Sequence, residues 1–235
     1  MWRPRRKGRS PVGASWCAQG ADLAPDAAAL PPLADRLDEV FERAQEQGLL
    51  GRTTAPRREW MHAAALARQL TDPGEGRCLD LGTGAGLPGL VMATCWPATR
   101  WLLTDRRLRS ENFARWAIGV LDMGERVSFR RGEAAELARE ETLAGGFALV
   151  AARAFGPPPL TAECATGFLP LGGRLVVSEP EHETPPRWPS EPLRRLGLAI
   201  HSTGIAPRFV ELRKVTPHED RFPRRPAAMQ RDPLY

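Results

Sequence analysis

The sequence predicts an α/β protein built on a mostly parallel sheet, with helices on both faces and a small helical region in front of it. Three observations favour this class. A short apolar strand breaks into a glycine-rich loop between Arg77 and Gly89. Strand-like and helix-like patterns then alternate as far as Ser178, and such alternation implies right-handed crossovers between parallel strands. Finally, 235 residues with 42% hydrophobic content suffice for the core of one sizeable domain.

The chain before residue 73 is predicted to hold a basic tail and two helices. Residues 1–30 are rich in Arg, Pro, Gly and Ala without periodicity, a composition typical of disorder. Over 31–72 we expect a helical region, because apolar residues recur at helical spacing over 33–47 and again over 56–70. The turn sequence Asp-Pro-Gly at 72–74 marks the boundary with the domain that follows.

The loop after the first strand has the composition of a nucleotide-binding turn. Gly82, Gly84 and Gly86 lack a Cβ, so they can take positive φ and let a ligand approach bare backbone amides. The helix predicted to begin near Leu87 and Pro88 adds unpaired N–H groups and the positive end of its dipole. A loop of this kind suits a ligand that contains a nucleotide.

Two registers of the loop point to different cofactors. From Gly84, the sequence Gly-Ala-Gly-Leu-Pro-Gly followed by Asp105 meets the loose dinucleotide fingerprint. From Asp80, the sequence is acid-x-Gly-x-Gly-x-Gly, as in the first motif of S-adenosylmethionine (SAM) methyltransferases. A carboxylate at that place would attract an ammonium and a sulfonium but repel a pyrophosphate. We therefore favour SAM, while NAD and a purely structural turn stay open as alternatives.

The predicted SAM-binding domain covers residues 73–216. After the first strand, further strands are predicted over 101–104, 127–130, 147–151 and 174–178, and helices over 113–121, over 133–140 and up to Phe168. A terminal pair at 198–201 and 209–215 can close the sheet.

Residues that follow the strands are the candidate site residues, because ligands of parallel sheets lie beyond the carboxyl ends of the strands. Asp105 is the natural acceptor for two ribose hydroxyls, although a solvated acid at a helix start is the alternative. Ala134 and Ala135 would form a small wall beside a purine. The other candidates are Asp80, Gly82, Glu133, Arg153, Ser178 and Glu179.

The net charge of +5 is concentrated at the two ends of the chain. Residues 1–10 carry five basic residues and no acid, and residues 208–235, which include the Pro/Arg-rich C-terminal tail predicted for 217–235, carry seven basic against four acidic residues. These two ends could hold a polyanion beside a nearly neutral body. The cysteines form no CxxC and no metal-like pairing with histidines, and no apolar run approaches the roughly 20 residues of a membrane span. We expect a cytoplasmic monomer that contacts neither metal nor membrane.

Several segments together resemble one family, the small-subunit ribosomal RNA guanine-N7 methyltransferases, also called glucose-inhibited division protein B. The run over 80–89 ends in Gly-Leu-Pro-Gly and is similar to the first motif of that family. Ala-Arg-Ala-Phe at 152–155 is similar to its Ser-Arg-Ala-(Val/Phe) after the fourth strand. Arg-Glu-Trp-Met-His at 58–62 resembles its N-terminal helices, and Phe-Pro-Arg-Arg-Pro at 222–226 with Pro-Leu at 233–234 resembles its closing segment.

The resemblance implies a Rossmann-like class I SAM-dependent methyltransferase that acts on N7 of a guanine in 16S rRNA. Its partner would be ribosomal RNA or the small ribosomal subunit. Arg153, the candidate catalytic residue, would contact the cofactor or the incoming guanine. The resemblance implies cofactor contacts for Gly82, Leu87, Ala134, Ala135 and Arg153. Together with the residues selected by the loop pattern and the strand ends, the predicted cofactor-binding residues are Asp80, Gly82, Gly84, Gly86, Leu87, Asp105, Ala134, Ala135 and Arg153.

The chemistry of guanine N7 agrees with what the sequence lacks. N7 presents a lone pair without prior deprotonation, so in-line transfer needs positioning and a dry pocket but no general base. The chain accordingly has neither the Asn/Asp-Pro-Pro-Tyr of amino-group methyltransferases nor the Pro-Cys of enzymes that attack cytosine C5.

Three positions depart from the family pattern. Glu133 stands where an arginine is common, Ser110 replaces one of two basic residues, and Glu179-Pro180 replaces Lys-Gly. Two of these changes put an acid near the place where RNA phosphate would lie. The departures keep two alternatives open: a SAM methyltransferase for another RNA or a small molecule, and a non-catalytic RNA-binding assembly factor.

Overall fold

The computed structural model describes residues 31–182 and 187–235, so the tail predicted for residues 1–30 lies outside the described residues. Its strands are β1 (Arg77–Leu81), β2 (Arg100–Asp105), β3 (Val127–Arg131), β4 (Leu149–Ala152), β5 (Arg174–Ser178), β6 (Leu198–Ile205) and β7 (Arg208–Lys214). Its helices are α1 (Pro31–Glu46), α2 (Pro56–Gln69), α3 (Gly89–Cys95), α4 (Leu108–Val120), α5 (Ala134–Leu137), α6 (Pro158–Phe168), α7 (Ser190–Arg195) and α8 (Pro226–Arg231).

The strands form one sheet in the order β3-β2-β1-β4-β5-β7-β6. Strands β1 to β5 all run parallel to one another, while β7 is antiparallel to both β5 and β6. The direction in which the sheet grows reverses between β1 and β4, and ligands of such sheets bind beyond the strand ends at this switch point. The predicted Rossmann-like α/β fold is confirmed.

The helices differ more from the sequence prediction than the strands do. α4 begins at Leu108 rather than at residue 113, and α5 covers only Ala134–Leu137 instead of 133–140. α7 and α8 were not predicted, because elements of six residues are too short to show a helical period.

The N-terminal helical region is part of the core on one face of the sheet. Phe41 of α1 and Trp60 of α2 belong to the same buried cluster as Leu90 of α3 and Phe113 of α4. The Trp60 indole Nε1 also donates a hydrogen bond to Asp38 Oδ1 over 2.8 Å, which ties α2 to α1. The packing of α2 on this face brings its side chains close to the carboxyl ends of the central strands.

The C-terminal segment, expected as a basic tail over 217–235, is folded against the opposite face. Phe222 and Met229 are buried in the cluster that also contains Phe168 of α6. The backbone N, Nε and Nη2 of Arg224 each donate to the carboxylate of the buried Glu163 on α6, over 2.8 Å. Two apolar side chains and one cation with a buried partner therefore hold this segment in place.

Candidate active site

The glycine-rich loop lies at the carboxyl end of β1. Gly82, Gly84 and Gly86 have φ of 72°, 52° and 87°, which is the left-handed region expected for them. The Thr83 N–H donates to the carbonyl of Thr104 on β2 over 2.8 Å, and the Thr83 carbonyl accepts from the Gly86 N–H over 2.7 Å. A Cβ on Gly82 would lie 2.4 Å from Cδ2 of Phe155. The loop therefore packs directly against the segment that follows β4.

Asp80, the acid that opens the loop motif, is fully buried. Its Oδ2 accepts hydrogen bonds from Thr83 Oγ1 (2.5 Å) and from the Gly89 N–H (2.9 Å), so it bridges the end of β1 and the start of α3. Burial raises the pKa of Asp80 to about 7, although both hydrogen bonds act to lower it. Asp80 lines neither of the two cavities described below. A contact between Asp80 and the cofactor stays a prediction, and what the structure shows is a carboxylate that holds the glycine-rich loop to the start of α3.

A cavity of about 230 Å³, called here the first cavity, opens at the carboxyl ends of β1, β2 and β3. Gly82, Asp105, Ala134 and Ala135, all predicted site residues, line it together. Gly84 lies beside it, because its N–H donates to Asp105 Oδ2 over 3.0 Å. The predicted residues that do not line the first cavity are Asp80, Gly84, Gly86, Leu87 and Arg153.

Asp105 is the buried carboxylate of the first cavity. Its Oδ1 accepts from the Arg107 N–H (2.9 Å) and from Arg107 Nε (3.3 Å), while Oδ2 accepts from Gly84. Because a carboxylate oxygen has two acceptor sites, Oδ2 can still accept a hydroxyl of a ligand. At the rim of the first cavity, Glu133 pairs with Arg106 over 3.2 Å. This ion pair partly neutralises the negative charge that Glu133 places where the family commonly has an arginine.

Helix α8 supplies a part of the first cavity that the sequence did not predict. Pro226, Met229 and Gln230 all line it. Their position depends on the ion pair between Arg224 and Glu163, which joins residues 61 positions apart. The sequence offered no signal for this contribution, because a single apolar residue in a charged segment is common at a protein surface.

A second cavity, of about 310 Å³, lies at the carboxyl ends of β4 and β5. Arg153 and Glu179 line it from the sheet, and Glu59 and His62 line it from α2. Arg153 Nη2 donates to the Glu59 carboxylate, and Arg153 Nη1 donates to the Glu59 carbonyl over 3.3 Å. His62 Nε2 lies 3.0 Å from Ser178 Oγ. The two α2 side chains were not predicted as site residues, since nothing in the sequence places α2 at the ends of these strands.

The histidine of the second cavity favours its neutral form. Burial lowers the pKa of His62, and the positive charge of Arg153 lowers it further, although Glu59 acts in the opposite direction. The side chains around this cavity are arranged as ion pairs: Arg153 with Glu59, Arg58 with Glu181 and Arg187 with Glu179. The second cavity is therefore polar but nearly balanced in charge.

Ala154 and Phe155 line both cavities and form the wall between them. Ala154 has φ of 52°, a left-handed conformation that residues other than glycine seldom adopt. Backbone strain of this kind is concentrated at functional sites. The two cavities are thus separated by a single short backbone segment.

Residues 31–182 and 187–235 contain no group of three or more His, Cys, Asp or Glu side chains that could hold a metal ion. Among the helices of the same residues, none is both long enough and apolar enough to cross a membrane.

Solved methyltransferases have a similar fold. An O-methyltransferase from Bacillus cereus, solved in complex with SAH, superposes with a TM-score of 0.52 at 14% identity, over 80% of this chain and 94% of that one. TrmN from Thermus thermophilus gives a TM-score of 0.51 at 22% identity, over 74% of this chain and 53% of that one. At these identities the likeness shows the fold, which is that of class I methyltransferases as predicted.

Sequence comparisons point to one family. The chain is 29% identical to ribosomal RNA small subunit methyltransferase G of Parasynechococcus marenigrum over 185 residues, 72% of each chain. It is 30% identical to the protein of the same name from a Thermotoga species, over 68% of this chain and 72% of that one. The family model described as rRNA small subunit methyltransferase G matches residues 34–183. This span contains α2 and the strand ends that line the two cavities. This chain therefore belongs to the rRNA small subunit methyltransferase G family.

Proposed function

We propose that this protein is a SAM-dependent methyltransferase that transfers a methyl group to N7 of a guanine in 16S rRNA. The observation that carries the proposal is the pair of cavities that meet at Ala154 and Phe155. One cavity has the features of a nucleoside site and the other has the size and polarity for a base. Their common wall would place a donor and an acceptor next to each other.

The residues of the first cavity fit SAM. Asp105 offers a buried acceptor for ribose hydroxyls, and the small side chains of Ala134 and Ala135 leave space for a flat purine. At Gly82, any side chain would collide with Phe155, so glycine is what lets the wall at Phe155 pack against the loop beside the first cavity. When bound, SAM supplies a methyl group on a positively charged sulfur, which a nucleophile can attack directly.

Arg153 lines the second cavity and not the first, which favours a contact with the guanine over a contact with the cofactor. Held by Glu59, its guanidinium can orient the base by donating a hydrogen bond to an acceptor such as O6. The chain needs no general base for this reaction, because the N7 lone pair is already available. Arg153 therefore acts by positioning the base for in-line transfer, and the walls of the cavities exclude water.

The substrate class is supported by the family and by the charge of the chain. The relatives named above are ribosomal RNA methyltransferases by name, and the net charge of +5 is suited to an RNA partner. The protein would act in the cytoplasm as a monomer on ribosomal RNA or on the small ribosomal subunit.

The proposal is tested by nucleoside mass analysis of 16S rRNA from a strain that lacks the protein. We expect one 7-methylguanosine fewer than in the parent, and its restoration when the purified protein and SAM are added to that RNA. Arg153→Ala should abolish restoration, whereas Arg194→Ala, which removes an exposed arginine from α7, should not. An unchanged content of 7-methylguanosine in the deletion strain would overturn the proposal.

A further inference from the structure

The second cavity contains three carboxylates, and they differ in how far solvent reaches them. The Glu179 side chain is 14% exposed, that of Glu59 is 20% exposed and that of Glu181 is 64% exposed. Glu59 is already committed to Arg153, and Glu181 is a surface side chain that pairs with Arg58. Glu179 is therefore the most shielded of the three carboxylates.

The Glu179 carboxylate is held in a defined orientation. One oxygen accepts a hydrogen bond from Trp188 Nε1 over 3.1 Å, and the other accepts from Arg187 Nη1 over 2.9 Å. Trp188 is itself buried, so its indole is a fixed donor. Since each carboxylate oxygen can accept two hydrogen bonds, Glu179 keeps one acceptor site on each oxygen. The result is a pair of parallel acceptors at the wall of the cavity.

The chemistry of guanine matches such a pair. With N7 turned towards the wall at Ala154 and Phe155, the opposite edge of the base points away from the first cavity. That edge carries two donors side by side, the N1–H and the N2 amino group. A carboxylate is an acceptor on both oxygens and can bind both donors at once. Adenine has an unprotonated N1 at the same place, so a hydrogen-bond acceptor of the base would face an acceptor of the carboxylate.

From this geometry we infer that Glu179 is the specificity-determining residue of the second cavity, and that it selects guanine by accepting hydrogen bonds from N1–H and from the N2 amino group. The inference rests on the proposed function, because it takes N7 as the acceptor atom. It adds a base-recognition role to the positioning role of Arg153. It also explains why an acid, Glu179, is present at a position where its charge would otherwise repel RNA phosphate.

The test compares two substrates with two proteins. Inosine differs from guanosine only in lacking the N2 amino group, and its N7 is unchanged. A 16S rRNA with inosine at the target position is made by splinted ligation, and kcat/KM for methyl transfer is measured with the wild-type protein and with Glu179→Gln. For wild type, the inosine substrate should be poorer by about 10- to 100-fold, the range for a hydrogen bond to a charged group. For Glu179→Gln, the guanosine substrate should suffer a similar loss, and the penalty for inosine should shrink to within about threefold.

Several outcomes separate the possibilities. If both proteins show the same inosine penalty, Glu179 does not contact the N2 amino group and the inference is wrong, while the proposed function stands. If Glu181→Gln rather than Glu179→Gln removes the penalty, the assignment to Glu179 is wrong as well. If wild type methylates neither substrate, the proposed function and the inference both fail. Calorimetric SAM binding by Glu179→Gln, compared with Glu191→Gln on α7, checks that the variant is folded: retained affinity makes the kinetic comparison decisive.

Discussion

Glu59 and Arg153 form an ion pair that joins α2 to the end of β4, across 94 positions of the chain. The guanidinium also donates to the Glu59 carbonyl over 3.3 Å, so two atoms of the same residue orient it. The N-terminal helices thereby take part in the site and do more than cover the sheet. An arginine with two such partners enters the second cavity in a preorganised position.

Replacing Glu59 with Gln should reduce kcat for methyl transfer to rRNA by about 10- to 100-fold, because a partly buried guanidinium loses its charged partner. The dissociation constant for SAM should stay within about twofold, since Glu59 does not line the first cavity. Glu111→Gln is the control, because the Glu111 side chain is about as shielded as that of Glu59 (18% against 20% exposed), also pairs with arginines, and lines neither cavity. Equal kinetics for the two variants would contradict a positioning role for Glu59.

Replacing Gly82 with Ala should weaken SAM binding by about tenfold or more, because the added Cβ would displace Phe155. Gly74→Ala separates this effect from backbone strain. Gly74 has nearly the same φ, 65° against 72°, but a Cβ there would meet no atom within 4 Å. Both variants should lose about 1–2 kcal/mol of unfolding free energy from the left-handed backbone, and Gly82→Ala should lose more. Isothermal titration and urea unfolding measure the two quantities.

Replacing Arg224 with Ala should lower the free energy of unfolding by about 3 kcal/mol or more, because it leaves the buried Glu163 without its cation. Arg221→Ala is a matched control. Both arginines lie over the ring of Phe222, at 5.7 and 4.8 Å from its centroid, so both changes remove one cation–π contact. The partner of Arg221 is an exposed glutamate, and its loss should cost below about 1 kcal/mol. Similar midpoints of urea unfolding would show that the C-terminal segment is not anchored through Glu163.

Asp80 should make the fold less stable as the pH rises from about 4 to about 7. Its pKa is raised from 3.8 to about 7 in the folded protein, so the folded state binds the proton more tightly than the unfolded state does. Asp80→Asn carries no charge in either state and should lack this contribution. The difference in unfolding free energy between wild type and variant should therefore change across this window, by at most about 4 kcal/mol. Parallel stability curves from pH 4 to pH 8 would contradict the assignment.

The sequence located much of the sheet and part of the site for a physical reason. Short apolar runs bounded by glycine and proline identify the buried strands of a parallel sheet. Because ligands of such sheets lie beyond the strand ends, Asp105, Ala134 and Ala135 could be predicted as site residues. These residues line one cavity in the structure. Arg153 was found in the same way, although it lines the neighbouring cavity.

Other features depend on contacts that a linear pattern does not contain. The direction of the Asp80 side chain is set by the close packing of Gly89, where a Cβ would lie 2.6 Å from Asp80 atoms. The contribution of Met229 to the first cavity follows from an ion pair between α6 and the C-terminal segment. The contribution of Glu59 requires the packing of α2 on α3, which composition and periodicity do not specify.

The common wall at Ala154 and Phe155 has a consequence for how enzymes of this shape can diverge. A substitution in that segment would disturb both cavities at the same time. Under the proposed function, it therefore offers no route to a new substrate at constant cofactor affinity. Side chains from α2 and from the stretch beyond β5 line only the second cavity. Evolution of a different target base would be expected to proceed through those outer positions, leaving the donor half of the enzyme unaltered.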